Sequence, residues 1–191
     1  MKNLSSLINE WTLKNNSIKD IKSSKNTFIY YVDSIGDTIK VFDPKWPEFD
    51  KYKDKVYING HKYELAPTGY TRAKFMRQTW EIYISDIENV ENCDNMFLTC
   101  LQLKNVKFFN SYKATSMESM FQNCKHLEEV EFLNTSNVKN MNWMFCDCSR
   151  LKNVQLFNVR KDVRTVSMFH GCERLNEQTK KEWSSVYDFE R

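Results

Sequence analysis

Glycine is scarce: the 191-residue chain holds four, which excludes a collagen-like or loop-dominated polypeptide. Long apolar runs are missing too. None approaches the ~18 residues that a membrane-spanning helix needs, so no membrane partner is expected. Residues 1–11 lack the continuous apolar segment of a secretory signal. With a methionine at position 1, this points to a cytoplasmic protein. Neither a G-x-G-x-x-G nor a Walker sequence is present to cradle phosphate. The three histidines, His61, His126 and His170, are scattered, and His126 and His170 fall in different registers of the repeat described below. No serine, cysteine or aspartate nucleophile has an evident partner. The cluster Glu128, Glu129 and Glu131 reads as a solvated face. We therefore expect no catalytic residues and no cofactor: the chain is not read as an enzyme.

Charge excludes little. The net charge is +3, which does not demand nucleic acid. The distribution is mildly uneven, with a net of +5 over residues 1–80 and −2 over residues 81–191. An ordinary solvated surface explains that asymmetry more simply than a basic binding face.

What the chain does have is one phrase repeated four times. It reads Met96-Phe97-x-x-Cys100-x-x-Leu103, and returns at Met120-Phe121, Met144-Phe145 and Met168-Phe169 with Cys124, Cys148, Cys172 and Leu127, Leu151, Leu175 in step. The interval is 24 residues each time. A fixed period of this length is the mark of stacked supersecondary units, none of which can bury its apolar face alone. After the first three leucines come Val106, Val130 and Val154, then Phe108, Phe132 and Leu156, then Asn110, Asn134 and Asn158. The apolar-x-apolar alternation predicts one half-buried strand per repeat. Ile82-Tyr83-Ile84, one interval earlier, predicts an opening strand. Apolar residues at i, i+1, i+4 and i+7 of the phrase predict a helical turn or short helix laid against the strands.

The segment Leu127-x-x-Val130-x-Phe132 is similar to the leucine-rich-repeat core L-x-x-L-x-L. The run from Thr135 through Asn137, Val138, Asn140, Met141 and Trp143 to Met144-Phe145-x-x-Cys148-x-x-Leu151 resembles the BspA-like repeats of bacterial surface antigens and of mycoplasma proteins of unassigned role. The resemblance covers about residues 81–175. It implies a curved array with a parallel sheet on one face, and binding rather than catalysis. The fourth copy departs from the pattern. Asp162 stands where Val90, Ala114 and Val138 stand, and Thr165 replaces Met117 and Met141. The array is expected to give way there to a cap.

Six cysteines invite a disulfide or metal reading. Cys100, Cys124, Cys148 and Cys172, however, share one column, where a thiol acts as a small apolar group. Cys93 occupies the place of Met117 and Met141. Zinc wants converging short spacings, and Cys146-x-Cys148 is the one close pair. We expect structural, reduced thiols and no metal site.

Before the repeats, Leu4, Leu7, Ile8 and Trp11 are spaced for an amphipathic helix over 4–14. Residues 14–26 fit a second short helix or a loop. Residues 28–32 and 38–42 read as partner strands around a turn. Asp43-Pro44 and Trp46-Pro47 break the chain. Asn59-Gly60 between alternating runs predicts a tight hairpin. The expected fold is α+β: a capping unit over 1–80, leucine-rich repeats of about four rungs over 81–175, and a closing helix over 176–191, with 176–188 helical. The capping unit would cover the first rung.

A binding face follows from strand alternation. Side chains at Tyr83, Lys107, Glu131 and Gln155 should point away from the core. Glu81, Asn105, Glu129 and Asn153 should share that side. The alternative is a plain hydrated sheet face. Asn110, Asn134 and Asn158 read as turn-stabilising. Phe109, Leu133 and Phe157 form a further apolar column, either second-layer core or an exposed stripe. The leading functional expectation is a module that binds another protein inside a cell. Its narrower form is a bacterial or phage inhibitor docking on a larger host or defence protein, for example a CRISPR nuclease. One alternative is surface adhesion, as the resemblance implies for secreted members. Another is RNA or DNA binding by the basic N-terminal unit, through Lys51-Tyr52-Lys53-x-Lys55, where charge and aromatic interleave.

Overall fold

A computed structural model describes residues 28–33, 38–58, 61–72, 79–84, 89–108, 113–185 and 187. The expected helix over 4–14, the stretch 14–26, and Phe109 and Asn110 lie outside them. The strands are β1 (Phe28–Asp33), β2 (Val56–Ile58), β3 (His61–Tyr63), β4 (Thr79–Ile84), β5 (Leu103–Phe108), β6 (Glu129–Asn134) and β7 (Asn153–Phe157). They form one sheet in the order β3-β2-β4-β1-β5-β6-β7. The pairs from β3 to β5 are antiparallel and those from β5 to β7 parallel.

The parallel half carries the 24-residue period into space. Asn105 lies opposite Glu129 and Val106 opposite Val130, and those in turn face Asn153 and Val154. On the far side of each repeat, Asn92, Ser116, Asn140 and Arg164 form a second parallel row. Between the two rows the repeated side chains stack on their own kind. The Phe97, Phe121, Phe145 and Phe169 rings lie 5.4, 5.4 and 5.5 Å apart and within 4° of parallel, in keeping with offset stacking. Met96, Met120, Met144 and Met168 are wholly buried.

Of the two forms expected for the Met-Phe-x-x-Cys phrase, a helical turn or a short helix, the helix does not form. The phrase runs as consecutive turns, with Met96 N–H donating to Cys93 O and Cys100 N–H to Phe97 O. The alternate N–H groups leave the repeat. Those of Cys93, Asn95, Phe97 and Thr99 donate to Ser116 O, Glu118 O, Met120 O and Gln122 O of the next, at 2.9–3.0 Å. The same four bonds recur from Met117, Ser119, Phe121 and Asn123, and again from Met141, Trp143, Phe145 and Asp147. Buried backbone donors must be paired. Pairing them across repeats holds identical side chains in contact, which a helix closed on its own axis would not do. Two positions per repeat adopt positive φ in consequence: Asn95 and Thr99, Ser119 and Asn123, Trp143 and Asp147, Ser167 and Gly171.

The cysteine column has a donor role as well as an apolar one. The Cys124, Cys148 and Cys172 thiols donate at 3.0 Å to Phe97 O, Phe121 O and Phe145 O of the preceding repeat. All six cysteines are buried and unpaired as disulfides. Burial pushes the Cys100 and Cys172 thiols up to about 12, and also raises those of Cys93, Cys124 and Cys148 well above the ordinary thiol range.

The ends are closed differently. Residues 38–42 do not return as the partner of β1, which lies instead between β4 and β5. That segment is taken up covering the first repeat. Ile39, Val41 and Phe42 are wholly buried, Phe42 lies 5.7 Å from Phe97, and Val41 O faces the Cys100 thiol. Gly69, at φ +80°, makes this possible: a Cβ there would stand 1.9 Å from Phe42 O. Carbonyls of the first repeat are met by Trp46 Nε1 at Asn92 O, Asp43 N–H at Met96 O and the Lys40 ammonium at Leu98 O. A short helix, α1 (Phe49–Tyr52), follows. Residues 58 and 61 pair in the β2–β3 hairpin, the two-residue connection that Asn59-Gly60 predicts. At the other end, α2 (Glu177–Trp183) is shorter than the expected 176–188. Asn176 caps it by accepting from Thr179 N–H. Trp183 and Tyr187 meet Phe169 edge-on, at 5.6 and 5.3 Å. Asp162 leaves the core column of the fourth copy, bound by Arg160 at the surface, and Val163 is buried beside it. No helix among the described residues is long and apolar enough to cross a membrane.

Phe121→Ala and Phe145→Ala should each cost ~3–5 kcal/mol in denaturant unfolding, since each empties a ring position packed on both sides. Thiol accessibility gives a second test. In native protein at pH 8, Cys93, Cys100, Cys124, Cys148 and Cys172 should resist a thiol-specific reagent, with Cys146 the fastest to react and all six reacting in denaturant. Prompt native labelling of the column cysteines would contradict the packing.

Candidate functional site

Strand alternation positions the expected face, but the sheet brings together only part of it. Asn105, Glu129 and Asn153 form one row across β5, β6 and β7, and all three are half-buried. The row runs on through Tyr31 of β1 to Glu81 of β4. At its other end the Asn176 amide donates to Asn153 Oδ1. The Asn105 side-chain oxygen is buried without a hydrogen-bond partner.

Tyr83 does not join Lys107. The 24-residue spacing suggested that β4 opens the parallel array beside β5. Instead β1 is inserted antiparallel between them, and Ile29 pairs with both Tyr83 and Phe108. Tyr83 is therefore two strand spacings from β5, roughly 9–10 Å. The second correction is a slip of register. After Val130 the pairing moves by one residue, so that Leu133 faces Leu156 and Asn134 faces Phe157. Leu133 and Phe157 thus fail to form a column. Asn134 is buried and its side chain accepts from Ser136 N–H, as a turn-stabilising asparagine should. Glu131 is half-buried and Gln155 exposed. Beside the row, Lys152 reaches back one repeat to Glu128 at 2.8 Å, and its hydrogen bond holds the Glu128 carboxyl below the usual range.

The nucleic-acid reading loses its aromatic. Tyr52 is wholly buried and stacks 5.3 Å from Trp46. Lys51 and Lys55 lie over its ring, and Lys53 pairs with Asp50 at 2.7 Å. No face of Tyr52 is left to take a base.

Two features on the turn side escaped the sequence reading. Trp143 is 39% exposed at φ +53°, and its N–H donates to the carbonyl of Val166, itself 57% exposed. One turn further on, Cys146, Asp147 and His170 converge, their donor atoms all within 4.8 Å. Burial, and then Asp147, push the Cys146 thiol up. The sequence did hold the signal. Cys146 and His170 are 24 residues apart and occupy the same variable place in the phrase.

No curated protein and no solved structure matches the chain. A family model described as a Mycoplasma protein of unknown function matches residues 71–188. That span runs from the end of the capping unit through every repeat to the closing helix. With more than half its length matched across the whole stacked array, the chain belongs to the Mycoplasma protein family of unknown function DUF285.

Proposed function

We propose that the chain is a leucine-rich-repeat solenoid of the bacterial surface-antigen type, and that it is a non-enzymatic module binding another protein. The 24-residue stacking of strands, rings and thiols supports the first part. Trp143 carries the second. Equivalent positions in the other repeats hold Asn95, Ser119 and Ser167, small polar residues at the same positive φ. A bulky residue in that conformation costs roughly 1–2 kcal/mol, yet 39% of the Trp143 surface is left in solvent. Strain kept at an exposed aromatic points to use, and tryptophan is the residue type most enriched where partners bind. Val166 beside it extends the apolar contact. The row of Asn105, Glu129 and Asn153, with Glu131 and Gln155, supplies a polar face that differs from repeat to repeat. An inhibitor docking on a larger host or defence protein is the narrower form of the same reading.

Immobilised wild-type chain should retain one stoichiometric protein from cell lysate. Trp143→Asn should stay folded, because asparagine tolerates the positive φ there, and should weaken binding of that protein by more than ~1 kcal/mol. Glu131→Ala and Gln155→Ala should leave stability within ~0.5 kcal/mol. A binding loss in either would extend the interface to the strand face. Unaltered binding in all three variants, or no captured protein, would sink the proposal.

A further inference from the structure

The variable places of the repeated phrase are filled differently in the last two repeats. One column reads Leu98, Gln122, Cys146, His170, and the next reads Thr99, Asn123, Asp147, Gly171. Only the lower pair of repeats carries groups that ligate a soft or borderline cation. The backbone holds them together, because Asp147 N–H donates to His170 O at 2.8 Å. Cys146 Sγ then lies 4.0 Å from His170 Nδ1, which lies 3.9 Å from Asp147 Oδ1. Gly171 at φ +73° leaves the room: a Cβ there would meet Asp147 Oδ1 at 2.6 Å. Among the described residues no other group of three such side chains converges in this way.

We propose that Cys146, Asp147 and His170 form a three-ligand site for a first-row transition-metal dication of the Zn2+ or Co2+ class. Sulfur and imidazole donors select such an ion over Mg2+ or Ca2+, which take oxygen. Ligand bonds of ~2.0–2.3 Å in tetrahedral geometry set donor atoms roughly 3.3–3.6 Å apart, so the two pairs that His170 makes need to close by only about half an ångström, and the Cys146 and Asp147 donors, within 4.8 Å of each other, close by a rotation of the exposed Asp147 side chain. The Asp147 and His170 side chains are 47% and 71% exposed. They can swing onto the ion, and the fourth position is open to water or to a donor from outside. Binding replaces the Cys146 S–H bond by an S–metal bond and releases the proton to solvent. The site is independent of the protein-binding reading.

The test is titration of the reduced, full-length chain with Co2+, read by the thiolate-to-cobalt charge-transfer band and followed by displacement with Zn2+. One equivalent should generate the band. Cys146→Ala should abolish it. His170→Ala should weaken Co2+ binding by more than about tenfold, since even outer-shell partners of a metal ligand carry that much. His126→Ala should bind as wild type. Circular dichroism and the melting temperature establish that each variant is folded. Should Cys146→Ala unfold, the exposed His170→Ala variant decides alone. A folded wild type without the band, a band that survives Cys146→Ala, or wild-type affinity in His170→Ala would each overturn the site.

Discussion

The fold depends on backbone N–H groups that leave their own repeat. In each of the first three repeats, four alternate donors between the strand rows reach carbonyls 23 residues ahead. This one constraint sets the repeat length, because an insertion would break every bond in the row. It also forces the left-handed positions at 95, 99 and their equivalents, where the chain must turn its next donor outward. Stacked phenylalanines and methionines follow from it. Once the backbones are in register, identical side chains meet, and they pack best when all are alike.

A ladder of this kind separates residues that must repeat from residues that need not. The methionine, phenylalanine, cysteine and leucine columns are buried and each is held by its neighbours above and below. The thiol column shows how tight the requirement is. The Cys124, Cys148 and Cys172 sulfurs each fit an apolar slot and also donate to a carbonyl of the repeat before. A larger side chain would not fit, and a purely apolar one would forgo that bond. The variable places of the phrase, and the residues between the buried positions of each strand, carry no such demand. The Cys146–Asp147–His170 group stands at such places, and Trp143 and Val166 just before the phrase, which makes them the positions where this chain's individual chemistry can sit.

A stacked array has two unlike ends. The first repeat offers carbonyls, and the capping unit answers with donors: an indole from Trp46, a backbone N–H from Asp43 and an ammonium from Lys40, which Asp43 holds at 2.6 Å. The last repeat offers an apolar ring face, and α2 answers with the edges of Trp183 and Tyr187. The first end is closed chiefly by hydrogen bonds and the last by aromatic contact.

How much of this was legible depends on the range of the interactions. The buried columns, the strand after each of the first three leucines and the pairing of β2 with β3 could be read from residues, because a period of 24 and alternation along a strand are properties of the chain itself. The same holds for Asn105, Glu129 and Asn153, whose row follows from the period. The insertion of β1 between β4 and β5 could not be read. Strand order is settled by which edges find partners, and the sequence near Tyr83 is the same whether β5 or β1 lies beside it. Nor could the one-residue slip between β6 and β7, which separates Leu133 from Phe157. The choice between turns and a short helix was left open for a related reason. Apolar spacing at i, i+1, i+4 and i+7 fits both, and cross-repeat hydrogen bonds, which exist only once the repeats are stacked, decide between them. The sequence by itself therefore determined what is buried and how often it returns. The tertiary structure alone decided which exposed residues meet, since those meetings are made by backbone pairing between segments distant in the chain.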